Sequence, residues 1–128
     1  MLKKIAHALI AICFIAFAGV QFNDPDPLVW ILIYSCVALL AILEMFNFSN
    51  KYFTRIVYLT IFLYWICYTP DFIEWAKGGF ISITGSMEAS TPLIEKIREF
   101  GGLTIALLVV LYYFLQSFEF PSWKKIRK

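Results

Sequence analysis

Gln21-Phe22-Asn23-Asp24-Pro25-Asp26-Pro27-Leu28 is the stretch on which the reading of the fold turns. It puts two carboxylates and two prolines between two long apolar runs. Each run is long enough to cross a hydrocarbon core of about 30 Å, which takes roughly 20 apolar residues as a helix. The polar break at 23–27 is too short for a domain and of ordinary length for a helical hairpin. The stretch therefore reads as the tight turn between two membrane helices, with its acids held at the bilayer surface.

Most residues of this turn have a structural account. Pro27 suits the first position of the second helix, where no N–H is needed and φ is already set. Asp26 then falls at the N-cap, where a carboxylate also complements the helix dipole. Asn23 is expected to end the first helix, because Asn tolerates left-handed backbone. Pro25 biases Asp24 to an extended conformation. Asp24 alone is left without a structural task.

The rest of the chain agrees with a membrane setting. It is 61% hydrophobic and 16% charged, with a mean hydropathy of +0.75 over 128 residues. Soluble domains carry about a quarter charged residues. Four spans are expected, at about 5–22, 28–46, 53–69 and 102–118, in a single membrane domain covering 1–128. The runs are continuous and do not alternate, which selects helices over barrel strands. The fold class is all-α, a four-helix polytopic bundle with a short interfacial helix before the last span. Cys13, Cys36 and Cys67 sit apart inside apolar runs, as small buried hydrophobes and not as a disulfide framework.

Charge gives the expected orientation. Lys3, Lys4, Lys51, Arg55, Lys124, Lys125, Arg127 and Lys128 lie at one end of the spans, and the 23–27 turn has no basic residue. Excess Lys and Arg mark the cytoplasmic side, so both termini are expected there, in a bacterial inner (plasma) membrane. The turn and the connection 70–101 then share the outer face. Trp30, Trp75 and Trp123 fall near the expected interfaces, as belt residues do. Residues 1–18 also resemble a signal peptide ending in Ala16-Phe17-Ala18. The apolar run continues through Val20 and Phe22, which favours an uncleaved first helix.

The outer connection carries further helix signals. Thr69-Pro70-Asp71 reads as a cap and first turn, opening a short interfacial helix with Phe72, Ile73 and Trp75 in the headgroups. Residues 80–87 are apolar but too short to cross, and fit a re-entrant turn or a surface loop equally. Thr91-Pro92 opens a helix over 92–100, continuous with the last span, that sets Glu95, Arg98, Glu99 and Gly102 on one face. Gly101-Gly102 marks a kink or a close helix contact.

Gln21, Asn23, Asp24, Asp26, Asp71, Glu74, Glu95, Arg98 and Glu99 thus gather at one face. They form either a solvated rim or a polar pocket at the mouth of the bundle. Oxygen-rich acidic clusters suit hard cations such as calcium or magnesium, with Asp24, Glu95 and Glu99 as the candidate ligands. Inside the spans, His7 reads as interfacial, and Glu44 as snorkelling or pairing with Lys51 or Arg55. No H-E-x-x-H, G-x-S-x-G or phosphate loop is present.

Gln21 to Pro27 followed by Trp30 and Tyr34, Thr69-Pro70-Asp71 with Trp75, and Glu95…Arg98-Glu99-Phe100-Gly101-Gly102-Leu103 resemble the transmembrane protein 220 family over about 5–118. The resemblance implies a four-helix integral membrane protein of bacteria and animals. It brings no established activity and no catalytic or binding residues.

Two functional readings stay open. One is a non-enzymatic scaffold or small subunit, packed through Ala11, Gly19, Ala38, Ala41 and Ala106, with a larger complex or a second copy as partner. The other is a ligand- or cation-binding site, with acid–base work on a lipid headgroup as its enzymatic form, built from the 23–27 turn and the 92–100 helix. The bilayer is the expected partner in both. No cofactor and no nucleic acid are indicated.

Overall fold

A computed structural model describes residues 1–84 and 92–118. Their backbone forms α1 (Leu2–Val20), a 3-10 turn (Gln21–Asn23), α2 (Pro27–Met45), α3 (Lys51–Lys77) and α4 (Pro92–Gln116). All four helices are long and apolar enough to cross a membrane. The architecture is an all-α polytopic bundle, with no strand among the described residues.

The bundle is two helical pairs. α1 packs along α2, α3 packs along α4, and α2 is the helix that approaches both members of the second pair. The seam is made of small or branched residues: Val37, Ala38 and Ala41 of α2, and Leu103, Ala106 and Val110 of α4, are all buried. In lipid no hydrophobic drive pushes helices together, so close packing of small side chains supplies the cohesion. The opposite faces turn outward, with Ile12, Leu32, Leu63 and Leu108 each more than half exposed.

The pairs differ in length. α1 and α2 have 19 residues each, about 28 Å at 1.5 Å per residue. α3 and α4 have 27 and 25 residues, about 40 and 37 Å. The second pair therefore overhangs the 23–27 turn, and the overhanging turns of α4 carry Glu95, Arg98 and Glu99.

Several local expectations change. Asn23 sits in the 3-10 turn and not in the left-handed region. The left-handed Asn is Asn47, with φ 59°, beyond the end of α2, where the Phe48 N–H bonds the Leu43 carbonyl. Asp26 holds the N-cap position of α2, but its side chain makes no capping hydrogen bond. Asp24 is extended, at φ −83° and ψ 148°, as Pro25 dictates.

The separate short helix expected at Thr69-Pro70 does not form. α3 runs through Pro70 without interruption to Lys77. Pro70 has no N–H for the Ile66 carbonyl, a loss that membrane helices absorb through neighbouring groups. Contacts beyond the proline hold the helix on α4. Phe100 stacks between Trp65 and Phe72, at ring separations of 5.3 and 4.9 Å. Lys96 meets Asp71 at 3.1 Å. α3 ends where Gly79 (φ 88°) and Phe80 (φ 56°) turn left-handed and Trp75 donates its indole N–H to the Ile81 carbonyl.

Other side chains also sit differently from the sequence reading. Trp30 is 2% exposed and belongs to the core, not to a lipid belt. Cys13 and Cys67 face outward, and all three cysteines are free. His7 is 8% exposed and bonds the Tyr113 hydroxyl at 3.0 Å, so it is packed inside the bundle. Glu44 pairs with neither Lys51 nor Arg55. Arg55 donates to the Ser117 hydroxyl and carbonyl and covers the Phe118 ring. The Thr91 cap, residues 85–87 of the 80–87 segment, Glu119, Trp123 and the basic residues 124–128 lie outside the described residues.

Candidate cation cleft at the hairpin mouth

The overhang of α4 above the 23–27 turn leaves a cleft of 990 Å³ between the two helical pairs. The first pair contributes Val20, Gln21, Asn23, Asp24, Pro25, Trp30 and Tyr34; α4 contributes Glu95, Arg98 and Glu99. Two turns of chain geometry create this arrangement. The 3-10 turn and the extended Asp24 lift one carboxylate across the top of α1. Glu95 and Glu99, four residues apart, then present two more from one face of α4.

Carboxylate oxygens of Asp24, Glu95 and Glu99 lie within 4.8 Å of one another, and each residue is part-buried. Like charges at that spacing repel one another, and the positive group in the same cleft is Arg98. Tyr68 of α3 donates its hydroxyl to Glu99 Oε2 at 2.9 Å, fixing that side chain from below. Arg98 faces the cleft as well, and its Nε–H donates to the Ile83 carbonyl at 2.7 Å, tying the segment after α3 to α4.

The floor is aromatic. Trp30 and Tyr34 are one helical turn apart on α2, with ring centres 6.2 Å apart, and Trp30 also packs on Tyr64 and Tyr68. Tyr34 is 5% exposed. Its hydroxyl faces Asp24 and Glu99, opens to the cleft, and makes no hydrogen bond among the described residues. Gly102 provides the room for it. A Cβ there would collide with the Tyr34 hydroxyl, while one at Gly101 would meet open space. Gly102 thus marks the close contact of α2 with α4 that the glycine pair suggested.

Of the residues singled out from sequence, Gln21, Asn23, Asp24, Glu95, Arg98 and Glu99 line one cleft. Asp26, exposed, does not join them, and Asp71 is turned to Lys96. Glu74 is exposed on the end of α3. Trp30, Tyr34 and Tyr68 are not among the site residues expected from sequence, because aromatic residues in an apolar run look like packing or a lipid belt. Their spacing held the signal: Trp30 and Tyr34, like Tyr64 and Tyr68, are polar-tipped rings four apart, stacked on one helix face.

Residues 13–115 match a protein family described as transmembrane family 220, helix. No curated protein and no solved structure matches the chain.

Proposed function

The chain belongs to transmembrane family 220, and from that premise we propose that this integral membrane protein binds a cationic ligand at its hairpin mouth. The observation that carries the reading is the convergence of Asp24, Glu95 and Glu99, from two helical pairs, on one point of the cleft. The hydroxyl of the nearly buried Tyr34 lines the same space with no hydrogen-bond partner among the described residues, and supports it independently. A solvated rim would instead splay its acids apart and satisfy its buried hydroxyls within the protein. The distribution of Lys and Arg supports an outward-facing mouth, with both termini in the cytoplasm of a bacterial inner membrane.

Of the small residues behind the scaffold reading, Ala11, Ala38, Ala41 and Ala106 are buried in the bundle's own core, and Gly19 alone is exposed and open to an outer contact.

Terbium(III) tests the proposal directly. It is a hard cation that emits when excited through a nearby aromatic ring, and Trp30 and Tyr34 floor the cleft. Saturable sensitised emission is expected from the detergent-solubilised protein. Asp24→Asn weakens it by about tenfold, the loss of one charge-assisted contact, while Asp71→Asn leaves it unchanged. Emission that never saturates, or that ignores Asp24→Asn, overturns the reading.

A further inference from the structure

We propose that the cation is a primary ammonium group carried on a body of headgroup size, as in the ethanolamine headgroup of a phospholipid. This rests on the cationic-ligand reading of the cleft and names the ligand's chemistry.

The donor count is the first ground. An –NH₃⁺ group has three N–H donors and no acceptor. Asp24, Glu95 and Glu99 offer three separate carboxylates to a common point, so each donor has its own acceptor. A quaternary ammonium has the charge without the donors and cannot use that arrangement.

Size is the second. A volume of 990 Å³ is that of a pocket for a whole organic molecule, about 300–1,000 Å³, and not of a cage closed around one ion. The acids face one another across the mouth, Asp24 from the first pair and Glu95 and Glu99 from α4, with Arg98 lining the same cleft. The floor is Trp30 and Tyr34, with Tyr68 beside Trp30. Aromatic faces attract an alkylated cation and pack against the carbons next to it. The free Tyr34 hydroxyl supplies a donor for an oxygen further along the ligand.

Depth is the third. α2 is about 28 Å long, close to the hydrocarbon thickness, so the turn at its start lies at headgroup level. Phe22, Leu28 and Val29 are exposed beside it and leave an apolar flank toward lipid. A headgroup amine can enter from the side with its acyl chains still in the bilayer.

The experiment is lipid retention. The full chain is placed in nanodiscs containing phosphatidylglycerol mixed with either phosphatidylethanolamine or phosphatidylcholine, released, and weighed by native mass spectrometry. Phosphatidylethanolamine is expected to stay bound about tenfold more than phosphatidylcholine, and Glu95→Gln or Glu99→Gln to abolish the difference. Asp24→Asn, in an extended loop, serves if the helix variants fail to fold. Binding of free ethanolamine without lipid enrichment supports the same chemistry from a soluble source. Equal retention of both lipids with no ethanolamine binding overturns the ammonium assignment, as does a preference that survives all three variants. Terbium emission separates the two levels. If it still saturates and still depends on Asp24, the cation site stands and only its ammonium ligand falls.

Discussion

The two ends of this bundle are built on opposite rules. At the end that holds Met1 and the close of α4, several polar groups are answered by the protein, although Glu44 makes no ion pair among the described residues. His7 meets Tyr113, Arg55 meets Ser117, Asn50 caps α3 through the Tyr52 and Phe53 N–H groups, and Thr54 bonds the Asn50 carbonyl. At the hairpin end, three carboxylates face one another, of which Glu99 alone accepts from Tyr68, and the Tyr34 hydroxyl faces a cleft with no hydrogen-bond partner among the described residues. The same four helices supply both ends. The difference lies in helix length: the short pair stops, the long pair continues, and the step between them is the cleft. A closed end needs matched partners; an open end collects groups whose partner comes from outside.

Mutations can break this contrast. The largest effect is expected from Gly102→Val. The added side chain meets the Tyr34 hydroxyl, so either the floor or α4 must move. Overpacking of this kind costs about 1–3 kcal/mol and occasionally more. Thermal unfolding in detergent, followed by circular dichroism, should show a clear drop, whereas Gly101→Val, which meets open space, should show little.

At the closed end, Tyr113→Phe removes the partner of a buried imidazole. A loss of about 1–3 kcal/mol is expected, the cost of an unsatisfied buried group. His7→Leu combined with Tyr113→Phe should recover much of it, because removing both partners leaves nothing unpaired. If the double variant is as unstable as the single, the pair is not what closes that end.

Glu99→Gln sharpens the contrast in the other direction. It removes one of three crowded charges while a side-chain oxygen remains for the Tyr68 hydroxyl. Unfolding temperature should hold or rise as terbium emission falls. A fall in both would make Glu99 a structural residue. The smallest effect belongs to Lys96→Ala. That pair is surface-exposed, half so on the lysine side, and exposed pairs contribute about 0–1 kcal/mol.

Sequence made the four spans plain, because four uninterrupted apolar runs are each long enough to cross, while the extra short helix expected at Thr69-Pro70 is part of α3. It was a poor guide to which way each residue faces. Inside a soluble protein, apolar residues mark the core. In a bilayer, both the core and the lipid face are apolar, so the periodicity that separates them fades. Trp30 looked like a belt residue for that reason and is core; Cys13 and Cys67 looked buried and face outward. Pro70 looked like a helix start because its local signals are those of one. Stacking of Phe72 on Phe100, distant in sequence, decided otherwise. The cleft was half legible. Topology alone brings the 23–27 turn and the start of α4 to one face, which gathers Asp24, Glu95, Arg98 and Glu99. That Asp71 turns away to Lys96, and that a tyrosine hydroxyl waits beneath the acids, are facts of packing that no spacing rule contains.

Asp24 belongs to the α1–α2 pair, which is synthesised before α4 and its Glu95 and Glu99. The chain enters the membrane as helices and associates afterwards. Before the pairs dock, Glu95 and Glu99 share a face of α4 and Asp24 stands apart from them. The third charge joins the other two only when docking is complete. A ligand that needs all three binds the assembled state alone, and stabilises that state in proportion to the logarithm of its concentration. Occupancy of the cleft is in that sense a proofreading step: it rewards the correctly joined bundle and ignores every partly built one.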